Sequence, residues 1–400
     1  MLKRKRRTID RAFCEIYKNH FLNFKQALET KYPFLYDTLG NMLIIAADAY
    51  YDNMTDFVFW KKLKGIPVEI ESISNIGNTE SNIKSYIQNK YDNEGVTWVL
   101  LVGNATDVVP GTGQNGDASG ETADPVYVYL AGADNYADAF ISRFSANDET
   151  DVDIQVAKVI KYERYPPQGA TWNWYHRACG TATTEGSPTD CERLTWLRDT
   201  LLAYTYTYMD TICEDWGTDA DVLGAINAGR SILNHIGHGT ETGFGTQTAF
   251  WIDINDIATL TNTDMLPFVF LVACLTGDFD AVTTCCCEAW MWHGTTDAPR
   301  GAIAAYGASI LQDWVPPCNA QNHANGLLKR EEALTVGGMA FNGAMYMIDV
   351  DGTIDMYETW HIFGDASVDL RTDIPDTFDV THPATIPVGN YTLQVTVKDN

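Results

Sequence analysis

The chain has 400 residues, of which 45% are hydrophobic and 12% aromatic, and its formal net charge is −26. This composition is typical of a folded protein with two or three domains and excludes a mainly disordered one. The negative charge argues against a nucleic-acid partner because phosphates would be repelled, and the lack of an apolar stretch of about 18 residues argues against a transmembrane helix.

The first residues, MLKRKRRTID, are basic like the start of a signal peptide, but no apolar segment follows them. No signal peptide is therefore visible in the sequence. We interpret residues 1–40 as an N-terminal extension of unknown role.

From residue 41 onward, short apolar runs alternate with helical patterns, which predicts an α/β fold with a parallel sheet. The predicted strands are residues 41–47, 68–73, 98–103, 139–145, 177–183, 231–237, 267–274 and 301–309. The predicted helices are residues 55–65, 82–91, 153–165, 191–204 and 221–229. Two adjacent prolines and a glycine mark a boundary near residues 165–172, so we expect subdomains at 41–168 and 169–371.

After residue 371 the pattern changes to period-two alternation around a Pro-Val-Gly-Asn turn. Residues 372–400 are therefore predicted to be the first hairpin of a β-sandwich. About thirty residues are too few for a whole domain of that kind, so we expect it to be incomplete.

The nine cysteines include the consecutive Cys285, Cys286 and Cys287. No Cys/His spacing typical of a zinc site occurs, and neighbouring helical residues point in different directions. We therefore predict that the three consecutive cysteines are small buried residues of a helix.

Two predicted strands end in the residue types that cysteine catalysis needs. His238 follows the strand at 231–237, and Cys274 ends the strand at 267–274. Functional groups gather beyond the carboxyl ends of parallel strands, where an imidazole can activate a thiol and the amides at Gly239 and Cys274 can stabilise an oxyanion. Alternatively, both side chains are ordinary core residues. Strand alternation predicts that His235 points away from His238 and is structural.

The segments NHIGHGTETGFG and LPFVFLVACLTGDF closely resemble those of the gingipain-like cysteine peptidases, and WVLLVGNATDVVP and TWHIFGDAS resemble the same family in the same order. The resemblance spans residues 41–371. It implies a caspase-like, parallel-sheet α/β sandwich in two subdomains, followed by an immunoglobulin-like domain that begins at 372–400. It also implies an endopeptidase with Cys274 as nucleophile, His238 as general base and acid, and no cofactor for catalysis.

The same resemblance implies further site residues. It puts Glu185 beside His238, where it would orient the imidazole, and Asp190 in a pocket for a basic side chain that Trp314 covers. A solvated loop carboxylate and a plain helix N-cap are the alternative interpretations of the two acids. The implied substrates are proteins or peptides cut after arginine in preference to lysine. The two acids lie five positions apart, which is closer than the family pattern implies.

A structural calcium site is also implied, with Asn104, Ala131, Asp134, Tyr136 and Asp138 as ligands; Ala131 and Tyr136 would contribute backbone oxygens. Oxygen ligands in an irregular loop suit calcium, although a solvated acidic turn has the same sequence pattern.

The resemblance implies a secreted or cell-surface location and leaves the oligomeric state open. Two alternative functions are a transpeptidase with the same fold and an inactive adhesion or scaffold module. The presence of both His238 and Cys274 argues against the inactive module.

Overall fold

The computed structural model describes residues 10–22, 24, 38–169, 172–376 and 378–399. The strands are β1 (Asn41–Ala46), β2 (Val68–Ser72), β3 (Val96–Val102), β4 (Phe140–Phe144), β5 (Arg177–Ala182), β6 (Tyr208–Cys213), β7 (Ile232–Ile236), β8 (His238–Thr240), β9 (Gly243–Gly245), β10 (Trp251–Asp253), β11 (Phe268–Val272), β12 (Ala304–Ala308), β13 (Trp360–Gly364), β14 (Phe378–Thr381) and β15 (Thr396–Asp399). The α-helices are α1 (Arg11–His20), α2 (Thr55–Lys64), α3 (Ile73–Ile76), α4 (Glu80–Glu94), α5 (Glu149–Arg164), α6 (Asp190–Leu202), α7 (Asp219–Asn227), α8 (Ile254–Ala258), α9 (Cys286–Trp292), α10 (Val315–Lys329), α11 (Val336–Asp351) and α12 (Ile354–Glu358).

Within these described residues, ten strands form one sheet in the order β2-β1-β3-β4-β13-β12-β11-β7-β5-β6. Neighbouring strands are parallel except for β12 and β13. Because β13 is antiparallel to β12 and parallel to β4, the two halves of the sheet run in opposite directions. The carboxyl ends of β5, β7, β11 and β12 therefore share one edge of the sheet.

The eight predicted strands and the five predicted helices are all present, so the prediction of an α/β fold with a mostly parallel sheet is confirmed. Strands β6 and β13 were not predicted. Strand β6 is an edge strand in which only Met209, Ile212 and Cys213 are buried, so its apolar pattern is short and irregular. Strand β13 follows α12 directly and reverses the sheet direction, which an alternating α/β pattern does not indicate.

The described part of the N-terminal extension packs on the main core. Phe13 and Ile16 of α1 are fully buried, and the Phe13 ring lies 4.9 Å from the ring of Phe140 in β4. The carboxylate of Asp10 caps α1 by accepting a hydrogen bond from the Phe13 amide, and its other oxygen accepts one from Thr97 of β3. Helix α1 is thus anchored to the first half of the sheet. The division of the chain into domains stays a prediction.

Strands β14 and β15 form an antiparallel hairpin near the end of the chain. Its apolar side chains are exposed, including Phe378, Val380 and Val397. The predicted hairpin is therefore present, whereas the immunoglobulin-like domain stays a prediction.

The three consecutive cysteines are fully buried, as predicted. Cys286 and Cys287 open α9, and Cys285 is the residue before it. Burial raises the pKa of all three thiols, which keeps them protonated and unreactive.

Cys191 and Cys213 form a disulfide that was not predicted from the sequence. It joins the first turn of α6 to the last residue of β6. Neither residue has a sequence pattern that pairs it with the other, because only the β5–β6 pairing brings the helix start and the strand end together.

Replacing both Cys191 and Cys213 by serine is expected to lower the free energy of unfolding by about 2–4 kcal/mol, since the cross-link restricts the unfolded chain. Thermal unfolding with and without a reductant measures the effect. The reductant should lower the midpoint of the unmodified protein and leave that of the double variant unchanged. Equal responses of the two proteins would contradict a stabilising disulfide.

Candidate active site

The register between β7 and β11 positions the two residues that were predicted to form a dyad. Ile236 pairs with Val272, and the Gly237 amide donates to the Val272 carbonyl at 3.0 Å. His238 and Cys274 each lie two residues beyond that last pair. Both therefore leave the sheet side by side at its carboxyl edge.

Gly239 allows the chain after His238 to pack closely against Cys274 at this edge of the sheet. A Cβ at residue 239 would lie 2.4 Å from the carbonyl oxygen of Cys274 and 2.9 Å from the Cβ of Ala273. Any side chain there would collide with the backbone that carries the thiol. The glycine thus lets the segment after His238 lie directly against Cys274.

The Cys274 thiol is partly exposed and accepts a hydrogen bond from the backbone N–H of Gln312, with 3.3 Å between N and Sγ. The next residue, Leu275, has a φ of 58°, a left-handed backbone conformation that residues other than glycine rarely adopt. Such strained backbone is common at functional sites. Gln312 follows β12, so three adjacent strands contribute to the surroundings of the thiol.

His238 forms an ion pair or hydrogen bond with Glu185. The distance from its Nε2 to Oε2 of Glu185 is 2.6 Å, and the two side chains are 32% and 39% exposed. When Nε2 carries the proton that is donated to Glu185, Nδ1 is left as the nitrogen that can accept a proton. Glu185 therefore lies beside the histidine, as the resemblance implied. A second side chain, Gln247, donates to Oε1 of Glu185 at 3.0 Å.

His235 is fully buried in β7. Its Nδ1 lies 2.8 Å from the Thr181 hydroxyl, and its Nε2 lies 3.3 Å from the backbone oxygen of His238. Burial lowers the pKa of His235 to about 3, so the ring stays neutral. These contacts support its interpretation as a structural residue.

Asp190 is fully buried at the start of α6. One carboxylate oxygen accepts a hydrogen bond from Nε1 of Trp314 at 2.9 Å, and the other accepts one from the Thr183 hydroxyl at 2.5 Å. Burial raises the pKa of Asp190, although these two donors partly oppose the effect. The indole of Trp314 also lies edge-on to His238, with 5.5 Å between ring centroids.

Asp190 is not the helix cap. Thr189 caps α6 and forms a capping box with Glu192, so the alternative interpretation of Asp190 as a plain N-cap was wrong. The short segment between Glu185 and Asp190 is held together by a hydrogen bond between its ends. The Asp190 amide donates to the Glu185 carbonyl at 2.9 Å. The two acids therefore share one tight turn, and the carboxylate of Asp190 is left to face Trp314.

The three side chains among the predicted calcium ligands accept hydrogen bonds within their own loops. Oδ1 of Asn104 accepts hydrogen bonds from Thr106 and Asp107, and Oδ2 of Asp138 accepts from the amides of Leu130 and Ala131. Oδ1 of Asp134 accepts from the Tyr136 amide. In the part of the chain that the structure describes, no group of three or more His, Cys, Asp or Glu side chains is arranged to hold a metal. These contacts do not support the fit of a cation, and calcium stays a prediction.

Sequence reasoning missed Thr183, Gln247 and Gln312. Thr183 follows β5 and both orients Asp190 and accepts from the Glu185 amide at 3.3 Å. Gln312 acts through its backbone, which no residue type signals. One signal marks them as candidates, namely their position. Thr183 and Gln312 come after the carboxyl ends of strands, and Gln247 lies in the loop after His238.

A thiol, an imidazole and a carboxylate that meet at the carboxyl edge of a mostly parallel sheet define the class of α/β cysteine peptidases. The chain belongs to one family of that class, peptidase family C25, whose family model matches residues 36–371.

Relatives from Porphyromonas gingivalis support this assignment. The chain is 32% identical to Gingipain R2 over 97% of its own length, and 22% identical to Lys-gingipain over the same share. The match covers 53% of the length of Gingipain R2 and 24% of the length of Lys-gingipain. The chain therefore spans about half of Gingipain R2 and about a quarter of Lys-gingipain. The crystal structure of the Arg-specific cysteine proteinase gingipain R superposes with a TM-score of 0.83 at 31% identity, covering 90% of this chain and 84% of that one.

Cys274 is expected to be the cysteine that reacts first with dilute iodoacetamide, because it is the partly exposed thiol beside an imidazole and an amide donor. The buried thiols at 285–287 should react at least about 10-fold more slowly. Peptide mapping of the labelled protein measures the order. Cys274→Ala should remove the fast label and Cys318→Ala should keep it. First labelling at 285–287 would refute the assignment.

Proposed function

We propose that this chain is a cysteine endopeptidase that hydrolyses protein or peptide substrates after basic residues, with arginine preferred to lysine. The observation that carries the proposal is the convergence of Cys274, the His238–Glu185 pair and the buried Asp190 at one edge of the sheet. Membership of family C25 and the similarity to an Arg-specific cysteine proteinase support it.

In the acylation step, Nδ1 of His238 accepts the Cys274 proton, and Sγ attacks the carbonyl carbon of the scissile bond. The Gln312 amide already donates to the sulfur, so a donor is in place for the negative charge that the sulfur carries once its proton has left. Glu185 accepts from Nε2 and so stabilises the imidazolium that forms. The imidazolium then protonates the leaving amine as the carbon–nitrogen bond breaks.

The negative charge that develops on the substrate oxygen needs backbone donors. We assign this role to the amides of Gly239 and Cys274, and the close packing of residue 239 on the Cys274 backbone supports the assignment. Fixed N–H dipoles at such a position stabilise the tetrahedral intermediate without reorganisation. Water activated by His238 then attacks the thioester and releases the acid and the thiol.

Specificity is assigned to Asp190. Its carboxylate is covered by Trp314 and its pKa is raised by burial, so it is a poorly solvated acid. A guanidinium can make two parallel hydrogen bonds to a carboxylate, whereas an ammonium makes one point contact. Entry of arginine requires the indole N–H to yield its place on Oδ1, after which the Trp314 ring can lie against the flat cation.

A location outside the reducing cytoplasm is part of the proposal. The Cys191–Cys213 disulfide supports it, because structural disulfides persist in oxidising compartments. Among the described residues, no helix is both long enough and apolar enough to cross a membrane.

Peptides that differ only in the residue before the cut test the specificity. Arginine is expected to exceed lysine by about 10-fold in kcat/KM, which corresponds to about 1.4 kcal/mol. Asp190→Asn should lower kcat/KM on arginine peptides by about 100-fold or more, because the cation then loses its buried partner. Asp199→Asn, on the exposed part of the same helix, is the matched control. Best cleavage after an acidic or apolar residue would overturn the assignment of Asp190.

The KM for arginine peptides is expected to rise as the pH falls. Because the pKa of Asp190 is raised by burial, its carboxyl takes up a proton at a higher pH than an ordinary aspartate and then offers no charge to the guanidinium. Measuring KM between roughly pH 4 and pH 8 tests this. In Asp190→Asn the KM should be high and independent of pH, and a parallel pH dependence in that variant would contradict the explanation.

A further inference from the structure

The Glu185–His238 pair is partly exposed to solvent, and Gln247 is its third partner. The side-chain Nε2 of Gln247 lies 3.0 Å from Oε1 of Glu185 and 3.2 Å from Nε2 of His238. Nε2 of His238 donates its proton to Oε2 of Glu185, so the amide of Gln247 donates to the opposite carboxylate oxygen. The carboxylate is therefore held by one donor on each oxygen.

This second donor matters because solvent-exposed ion pairs are weak. The two side chains are about one-third exposed, and such pairs contribute roughly 0–1 kcal/mol on their own. A glutamate side chain also loses rotamer freedom when it is held in one orientation. A fixed amide on Oε1 reduces the number of orientations in which Glu185 faces away from His238.

The loop that carries Gln247 is itself fastened to the turn that carries Glu185. One oxygen of Glu214 accepts from the amide and hydroxyl of Thr248, at 3.1 and 2.8 Å. The other oxygen accepts from the amide and hydroxyl of Thr184, both at 3.3 Å. Glu214 thus bridges the immediate neighbours of Gln247 and Glu185. Burial alone would raise its pKa, but these four donors hold the pKa of Glu214 below its ordinary value.

Glu214 is well placed for this role because it follows β6, the edge strand next to β5. Its own amide donates to the Ala182 carbonyl at 3.0 Å, at the end of β5. Its preceding residue, Cys213, is bonded to Cys191 of α6. The bridge therefore rests on the sheet and on a covalent link.

We propose that Gln247 is a positioning residue that fixes Glu185 against His238, and that Glu214 holds Gln247 in place. The inference deepens the proposed peptidase function and rests on it for the role of the dyad. Gln247 acts through Glu185, so its loss should slow the chemical step and leave substrate affinity almost unchanged.

The test compares Gln247→Met, which keeps the length of the side chain and removes the amide, with the parent protein on an arginine peptide. The kcat is expected to fall by about 5- to 20-fold with KM within about 2-fold, as expected for loss of a hydrogen bond to a charged group. Glu214→Gln should give a fall in the same direction, because an amide nitrogen cannot accept from the threonines. Gln168→Met, the same exchange at another exposed glutamine, is the matched control and should have no effect.

A second readout does not depend on substrate choice. The rate of Cys274 alkylation by iodoacetamide, followed against pH, reports how well the imidazolium–thiolate pair is held. In Gln247→Met the alkylation rate should be lower across the profile, because Glu185 is then held less firmly against His238 and supports the imidazolium less well.

The outcomes separate the two proposals. A rise in KM at constant kcat would mean that Gln247 contacts the substrate. An alkylation profile identical to that of the parent would mean that Gln247 does not hold the proposed dyad. Either result overturns the positioning role. If the parent protein cleaves no peptide, the peptidase proposal fails, and the alkylation profiles alone then decide for or against Gln247.

Discussion

The pairing of β7 with β11 is the constraint on which the rest of the site depends. Ile236 and Val272 end their strands at the same level, so the chain delivers His238 and Cys274 to one place without any direct bond between their side chains. Gly239 then allows the two backbones to touch. A slip of this register by one residue would turn one of the two side chains to the opposite face of the sheet, and no rearrangement in the loops could restore the proposed dyad.

The acidic part of the site is built differently. Glu185, Asp190 and Glu214 lie beyond β5 and β6, at the outer end of the sheet, where fewer neighbours hold the chain. The structure compensates with specific bonds: Thr183 orients Asp190, Glu214 bridges two threonines, and the disulfide ties α6 to β6. Cys274, the proposed nucleophile, is thus positioned by buried strands, whereas the acids are positioned by hydrogen bonds and one covalent link.

This difference explains how far the sequence could predict the molecule. Buried parallel strands are apolar runs of short length, so the strands that carry His238 and Cys274 could be located and their carboxyl ends identified as the site. The direction reversal at β13, the edge strand β6 and the contacts of Gln247 depend on pairings between distant segments. Those pairings leave no local periodicity. The roles of Glu185 and Asp190 came from family resemblance, because a loop carboxylate has the same pattern whether it is solvated or buried.

The two acids of this turn show how environment can divide roles between like groups. Glu185 is partly solvated and accepts from an imidazole, so it is placed to stabilise the cation that forms on His238 in the proposed reaction. Asp190 is five residues away, fully buried, and satisfied by two neutral donors that do not cancel its charge. Arg193 lowers the pKa of Asp190 through its charge but forms no ion pair with the carboxylate. A buried carboxylate that no cation contacts is costly, and a basic substrate side chain is the group that would relieve this cost. The free energy lost by burying Asp190 would therefore be recovered on binding a cation, which is a physical basis for the proposed selectivity.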